Sequence, residues 1–335
     1  MPNRWRARLF TSAVLVPALA LGMTLCAIAG GKQNKGSSPS SNIINAGTRP
    51  ERFTALSGTV RKDLQHGQDL LHQRRLNEAY AFYSAVIKAH PNDADAYCGR
   101  AQVFELSRHF DGAMAELHKA MEIEPKNPSP YRRLTAIYFN TGDLEPALQA
   151  CNEWLKRSPN DAAGWFNKGD LLAQMGKLDA AGAALDRSLQ LYPSNLPARR
   201  ARAHVNNRPG GNLKRAIEDY TLVIQSKLDD DYTKMYVLRA QAYEKLGDFK
   251  MAIADYSTVL KMNPDDDDSL TGRAADYEKL HDYKSAIADY TMAIKLQPNY
   301  CAVNYSGRAR AYRAIGQKDR AAADDKMAAK LKSEL

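Results

Sequence analysis

The chain has 335 residues, 44% hydrophobic and 25% charged, proportions that exclude wholesale disorder and a polytopic membrane protein. Four cysteines (Cys26, Cys98, Cys151, Cys301) without a CxxC pair exclude a disulfide-stapled mini-fold and supply no structural zinc pattern. The net charge of +9 is uneven: residues 1–59 hold seven Lys/Arg against Glu51 alone, whereas residues 60–335 hold 40 Lys/Arg against 37 acids. A nucleic-acid binder needs basic charge concentrated on a folded surface, so nucleic acid is not an expected partner.

The N-terminal residues read as an address. Arg4, Arg6 and Arg8 precede an apolar stretch from Leu9 to about Ala29, which ends in Ala27-Ile28-Ala29, a small-residue cleavage pattern. Residues 1–29 are therefore expected to be a secretory signal peptide or, because about 20 apolar residues suffice to span a bilayer, an uncleaved membrane anchor. Either places the remainder outside the cytoplasm. A lipidated Cys26 fits poorly, because Leu25 stands where a small residue is needed, and the apolar run is too continuous for a transit peptide. Residues 30–58, rich in Gly, Ser and Pro, are expected to be a disordered flexible linker.

From residue 60 onward the sequence repeats. Pro91, Pro125, Pro159 and Pro193 are 34 residues apart, as are Pro264 and Pro298. Ala79, Ala113, Ala147, Ala181, Ala216, Ala252, Ala286 and Ala321 mark eight units. Tyr83, Leu117, Cys151, Leu185, Tyr220, Tyr256 and Tyr290 follow the first seven alanines by four residues, and Asp325 follows the last. A second column runs Tyr97, Tyr131, Trp165, Tyr236 and Tyr305, with Ala101, Thr135, Gly169, Ala240 and Ala309 four residues on. Each unit reads as two helices of about a dozen residues. Small residues let the helix backbones approach, aromatics fill the gaps, and proline closes the unit. Gly142, Gly176, Gly247 and Gly316 fall between the two helices, where a left-handed C-cap is expected.

Charges repeat as well. Arg100, Arg202, Arg239, Arg273 and Arg308 share one first-helix position, and Glu116, Asp219, Asp255, Asp289 and Asp324 follow them by 16 or 17 residues. Units without the arginine lack the acid: Leu134 meets Ala150, and Lys168 meets Ala184. Residues that appear and vanish together predict a structural ion pair between the two helices of a unit. The spacing breaks once, at Asn206-Asn207-Arg208-Pro209-Gly210-Gly211, and Leu228 replaces the closing proline. A hinge or altered stacking angle is expected there, dividing the array into units 1–4 (60–193) and units 5–8 (194–335, ending in a capping helix).

These columns resemble the tetratricopeptide repeat (TPR) family over about residues 60–335. The resemblance implies an all-α, right-handed superhelical α-solenoid of helix-turn-helix units, whose first helices line a groove for protein or peptide partners. The positions matching that groove are Arg132, Arg133, Asn167, Arg200, Gln241, Arg310 and Arg313. Some members clamp a C-terminal carboxylate with a fixed Lys/Asn/Asn/Lys/Arg set. Here only Asn167 fits, with Ala136 and Pro197 where polar members are needed, so a chaperone-tail clamp is not expected.

No catalytic constellation stands out. The seven histidines form no HExxH, and GxSxG, P-loop and GxGxxG motifs are absent. Asp265–Asp268 and Asp229–Asp231 precede helices, where acids cap. The sequon Asn304-Tyr305-Ser306 falls on a helix and is discounted. No enzyme activity, cofactor or metal is implied. The expected roles are an exported or tethered adaptor, a structural subunit of an envelope or secretion assembly, or the regulatory subunit of a separately encoded enzyme.

Overall fold

A computed structural model describes residues 64–227, 232–298 and 302–334, which belong to one compact unit. The proposed signal or anchor and the linker lie outside the described residues, as do Asp229–Asp231 and Cys301. No helix among the described residues is long and apolar enough to cross a membrane.

Sixteen helices and no strands occur among the described residues. They pair into eight units: α1 Gln65–His72 with α2 Leu76–Ala89; α3 Ala94–Leu106 with α4 Phe110–Ile123; α5 Ser129–Thr141 with α6 Leu144–Arg157; α7 Ala162–Gln174 with α8 Leu178–Leu191; α9 Leu196–Asn206 with α10 Leu213–Ser226; α11 Tyr232–Leu246 with α12 Phe249–Met262; α13 Asp267–Lys279 with α14 Tyr283–Leu296; and α15 Ala302–Ala314 with α16 Lys318–Ser333. Each helix packs on the next in sequence. First helices also touch the first helix of the following unit, as α1 does α3 and α13 does α15. The main helix contacts among the described residues are therefore local along the array, the topology of an α-solenoid.

The repeated residues explain this packing. The alanine column is sealed, with Ala79, Ala113, Ala147, Ala181, Ala216, Ala252 and Ala286 fully buried. The residue four positions on is buried in units 1–7, whereas Asp325 is exposed and pairs with Arg313, giving the last helix a polar outer face. Although one, of Ala240, Ala252 and Tyr256, sits inside unit 6, most apolar clusters straddle the unit junctions. One joins Ala113 and Leu117 to Leu134 and Ala150, and another joins Leu185 to Ala198 and Val205. At the irregular junction a cluster continues from Ala216, Tyr220 and Val223 to Met235 on α11. Lys245 Nζ donates to the Asn207 backbone and side-chain oxygens, tying the irregular turn to unit 6.

The turn inside each unit needs one residue in the left-handed region. Gly142, Gly176, Gly247 and Gly316 supply it with φ of 88°, 75°, 79° and 80°. Gly142 closes α5 with paired bonds: its N–H donates to Phe139 O and the Asp143 N–H to Tyr138 O. In three units a side chain bears this strain, at Arg74, Arg108 and His281, with φ of 59°, 60° and 63°. Four first helices begin on acid or amide caps: Asp93 accepts from the Ala96 N–H, Asp161 from Ala163 and Gly164, Asn195 from Ala198, and Asp266 from Ser269.

Close approach makes glycine necessary elsewhere. The buried Tyr83 ring lies between Gly67 of its own unit and Gly99 of the next, in contact with the position of a Cβ added at either. Gly99→Ala is expected to lower stability by about 1–3 kcal/mol through displacement of that ring. Gly182, whose added Cβ meets nothing nearer than Val205 Cγ1 at 4.0 Å, is the control: Gly182→Ala should gain up to about 1 kcal/mol. Urea unfolding of both variants tests the contrast.

Candidate partner-binding face

The arginine column forms the predicted ion pairs in all five units. Arg202, Arg239, Arg273 and Arg308 each donate through Nε and Nη2 to both oxygens of Asp219, Asp255, Asp289 and Asp324, at 2.7–2.9 Å. Arg100 meets the longer Glu116 through Nη2 alone, which leaves its buried Nε without a partner. In unit 3, where the pair is missing, hydrocarbon replaces it, and Leu134 and Ala150 share one apolar cluster.

A third contact was missed at the level of sequence. Nη1 of each arginine reaches back to the second helix of the preceding unit: Arg100 to Ser84, Arg202 to Asp186, Arg239 to Thr221, Arg273 to Ser257 and Arg308 to Thr291. The guanidinium thus joins two units. Its signal is a hydroxyl or acid 16–18 residues before each arginine, in each of the five units.

The seven groove positions have different fates. Arg133 donates to Gln102 at 2.6 Å and pairs with Glu105 of the preceding unit at 3.4 Å. Arg310 binds Glu278 of the preceding unit through Nε and Nη2 at 2.7 and 3.0 Å. Arg313 pairs with Asp325 on α16. Asn167 donates to Ala163 O on its own helix. Arg200 is half-buried and engaged in a polar interaction. Gln241 is exposed on α11. Arg132 is half-buried on α5, and its guanidinium makes no hydrogen bond or ion pair to a described residue. Burial, and then the adjacent Arg133 cation, hold its pKa below the usual arginine range.

Three further acids on this face resist ionisation because they are buried. The Glu105 carboxyl is raised despite Arg133, Asp170 is pushed up to about 6, and Glu244 is raised although it accepts from Tyr256 Oη at 2.7 Å. The Cys98 and Cys151 thiols are buried and pushed up to about 12, which makes them poor nucleophiles. Asn304 is fully buried and accepts from Thr271 Oγ1, so its sequon is closed to glycosylation in the folded chain.

Four family models described as tetratricopeptide repeat match residues 64–128, 106–173, 162–195 and 233–266. The chain is a tetratricopeptide repeat protein. It is 25% identical over 211 residues to DnaJ homolog subfamily C member 3 of Homo sapiens, covering 58% of this chain and 41% of that protein. It is 30% identical over 97 residues to Hsp70-Hsp90 organizing protein 1 of Glycine max, covering 29% and 17%. The repeat protein thus spans less than half the length of these relatives. In fold it is similar to the C-terminal part of a TPR repeat-containing protein from Cytophaga hutchinsonii (TM-score 0.58, 17% identity, 69% of this chain and 93% of that one). It also resembles pilF of Pseudomonas aeruginosa (TM-score 0.53, 17% identity, 68% and 95%).

Proposed function

We propose that the repeat protein is a non-catalytic adaptor that binds protein or peptide partners along its first-helix face, and that residues 1–29 export it or tether it to a membrane. The observation carrying this reading is chemical. The array engages its own ladder arginines within and between units, whereas Arg132 has no hydrogen-bond or ion-pair partner among the described residues and Gln241 is exposed on the first-helix face. Arg132 suits an acidic or carbonyl group on a partner. The resemblance to chaperone-organizing proteins supports a protein ligand, and the basic, acid-poor N-terminus with its apolar stretch supports export.

The test is cross-linking in intact cells with a C-terminally tagged full-length chain, reading the N-terminal mass of the recovered bait. Partners lost on Arg132→Ala, with a bait that begins near Gly30 or keeps residues 1–29 in a membrane fraction, are the expected result. Recovery of cytoplasmic proteins alone would overturn the export reading.

A further inference from the structure

Three unit junctions in this array place a glutamate at one fixed position of the first helix, and at two of them the next unit supplies an arginine to neutralise it. Glu105 is met by Arg133, and Glu278 by Arg310. Glu244 occupies the same position in unit 6, but the residues of unit 7 that match Arg133 and Arg310 are Gly272 and Ala275. Among the described residues no arginine or lysine is hydrogen-bonded to Glu244. Lys245, the next residue on α11, is turned to Asn207, and Arg273 on α13 is engaged with Asp289 and Ser257.

Instead a second acid enters. Asp276 follows Ala275 on α13, at a position that is Ala242 in unit 6 and Ala311 in unit 8, both fully buried. Asp276 is 3% exposed, and its buried Oδ2 has no hydrogen-bond partner among the described residues. Tyr256 on α12 donates to Glu244, not to Asp276. Asp268, at the start of α13, adds negative charge near Tyr256. Burial and then Glu244 push the Asp276 carboxyl up to about 8. Glu244 itself is partly exposed, three residues after the exposed Gln241 on α11, so the acidic pair meets solvent at Glu244.

We infer that the recess of Glu244 and Asp276 between units 6 and 7 receives the guanidinium of an arginine side chain from a protein partner. Arg310 on Glu278, one junction further on, is the built-in template for that contact: a fork on a carboxylate, arriving from the first-helix side. The inference rests on the adaptor reading and specifies one element of its ligand, a basic residue.

The experiment uses the full-length chain and two fluorescent peptides, acetyl-Gly-Arg-Gly-amide and the same peptide with citrulline, which keeps the shape and loses the charge. The arginine peptide should bind at least tenfold more tightly than the citrulline peptide. Its affinity should rise from pH 6 to pH 9 as Asp276 gives up its proton. Asp276→Asn should cost about tenfold. Ala275→Arg should abolish binding by filling the recess from within, and it reports independently of whether Asp276→Asn folds. Glu122→Gln, exposed on the second helix of unit 2 and paired with Lys119, should change nothing. Equal affinity for the two peptides, or unchanged affinity in Asp276→Asn and Ala275→Arg, would overturn the assignment. Failure here is separable from failure of the adaptor reading. Cellular partners that survive Asp276→Asn sink the recess alone, whereas peptide binding as stated without any cellular partner sinks the adaptor.

Discussion

Arg202→Met is expected to lower the unfolding free energy by about 3–5 kcal/mol at pH 7. Asp219 is 1% exposed, and Arg202 supplies its two short hydrogen bonds, at 2.7 and 2.8 Å. After the substitution the carboxylate keeps, among the described residues, only Arg199, at 3.5 Å. Leaving a buried charge uncompensated costs more than the pair contributes when intact. The reverse deletion should be milder. In Asp219→Ala, Arg202 retains Asp186 at 2.8 Å, and it is the less buried partner. Joint replacement by Arg202→Met and Asp219→Leu should recover most of the loss, because unit 3 already carries the apolar Leu134 and Ala150 at this column. Urea unfolding of the full chain measures the order single arginine, single aspartate, double. Hydrogen exchange should show the loss concentrated in α9–α11, since each unit of a solenoid leans only on its neighbours. Equal costs for the two single variants would mean that the burial of Asp219 is not what makes the pair matter.

That ladder separates what a sequence of this kind reveals from what it hides. Contacts inside a unit recur at a nearly constant separation between fixed residue types, so the Arg202–Asp219 pair, the alanine column and the left-handed glycines were all legible as periodic residues. Contacts between units depend on which side chain of the next helix is long enough to cross. Arg133 and Arg310 matched the groove of the family by position, yet both reach back and spend their charge on Glu105 and Glu278. The second target of each ladder arginine was hidden for a related reason. Ser84, Asp186, Thr221, Ser257 and Thr291 share only the ability to accept a hydrogen bond, and their separation drifts between 16 and 18 residues. The strained turns at Arg74, Arg108 and His281 were hidden because the glycine that announces a left-handed residue is missing there. Asp276 was visible in the sequence only as a break in a column of small apolar residues.

That break carries the second large effect. Asp276→Ala is expected to stabilise the repeat protein by about 2 kcal/mol at pH 8–9 and to have little effect near pH 4. The folded chain holds the Asp276 proton up to about pH 8, whereas an unfolded aspartate releases it near 4. Between those values the folded state binds more protons than the unfolded one, so stability falls as pH rises, and the deficit is complete above 8. Alanine removes the buried acid without leaving a hole unlike those already tolerated, since Ala242 and Ala311 fill the same column. The gap between variant and parent in urea midpoint should therefore widen from pH 5 to pH 9; a constant gap would show that packing, not charge, is being altered. Ala275→Arg provides the complementary case. It keeps both Glu244 and Asp276 and supplies the cation that Arg310 supplies at the next junction, so it should flatten the same pH dependence by the opposite route. If removing an acid and adding a base have the same consequence, the recess is short of one positive charge, the quantity a basic partner residue would bring.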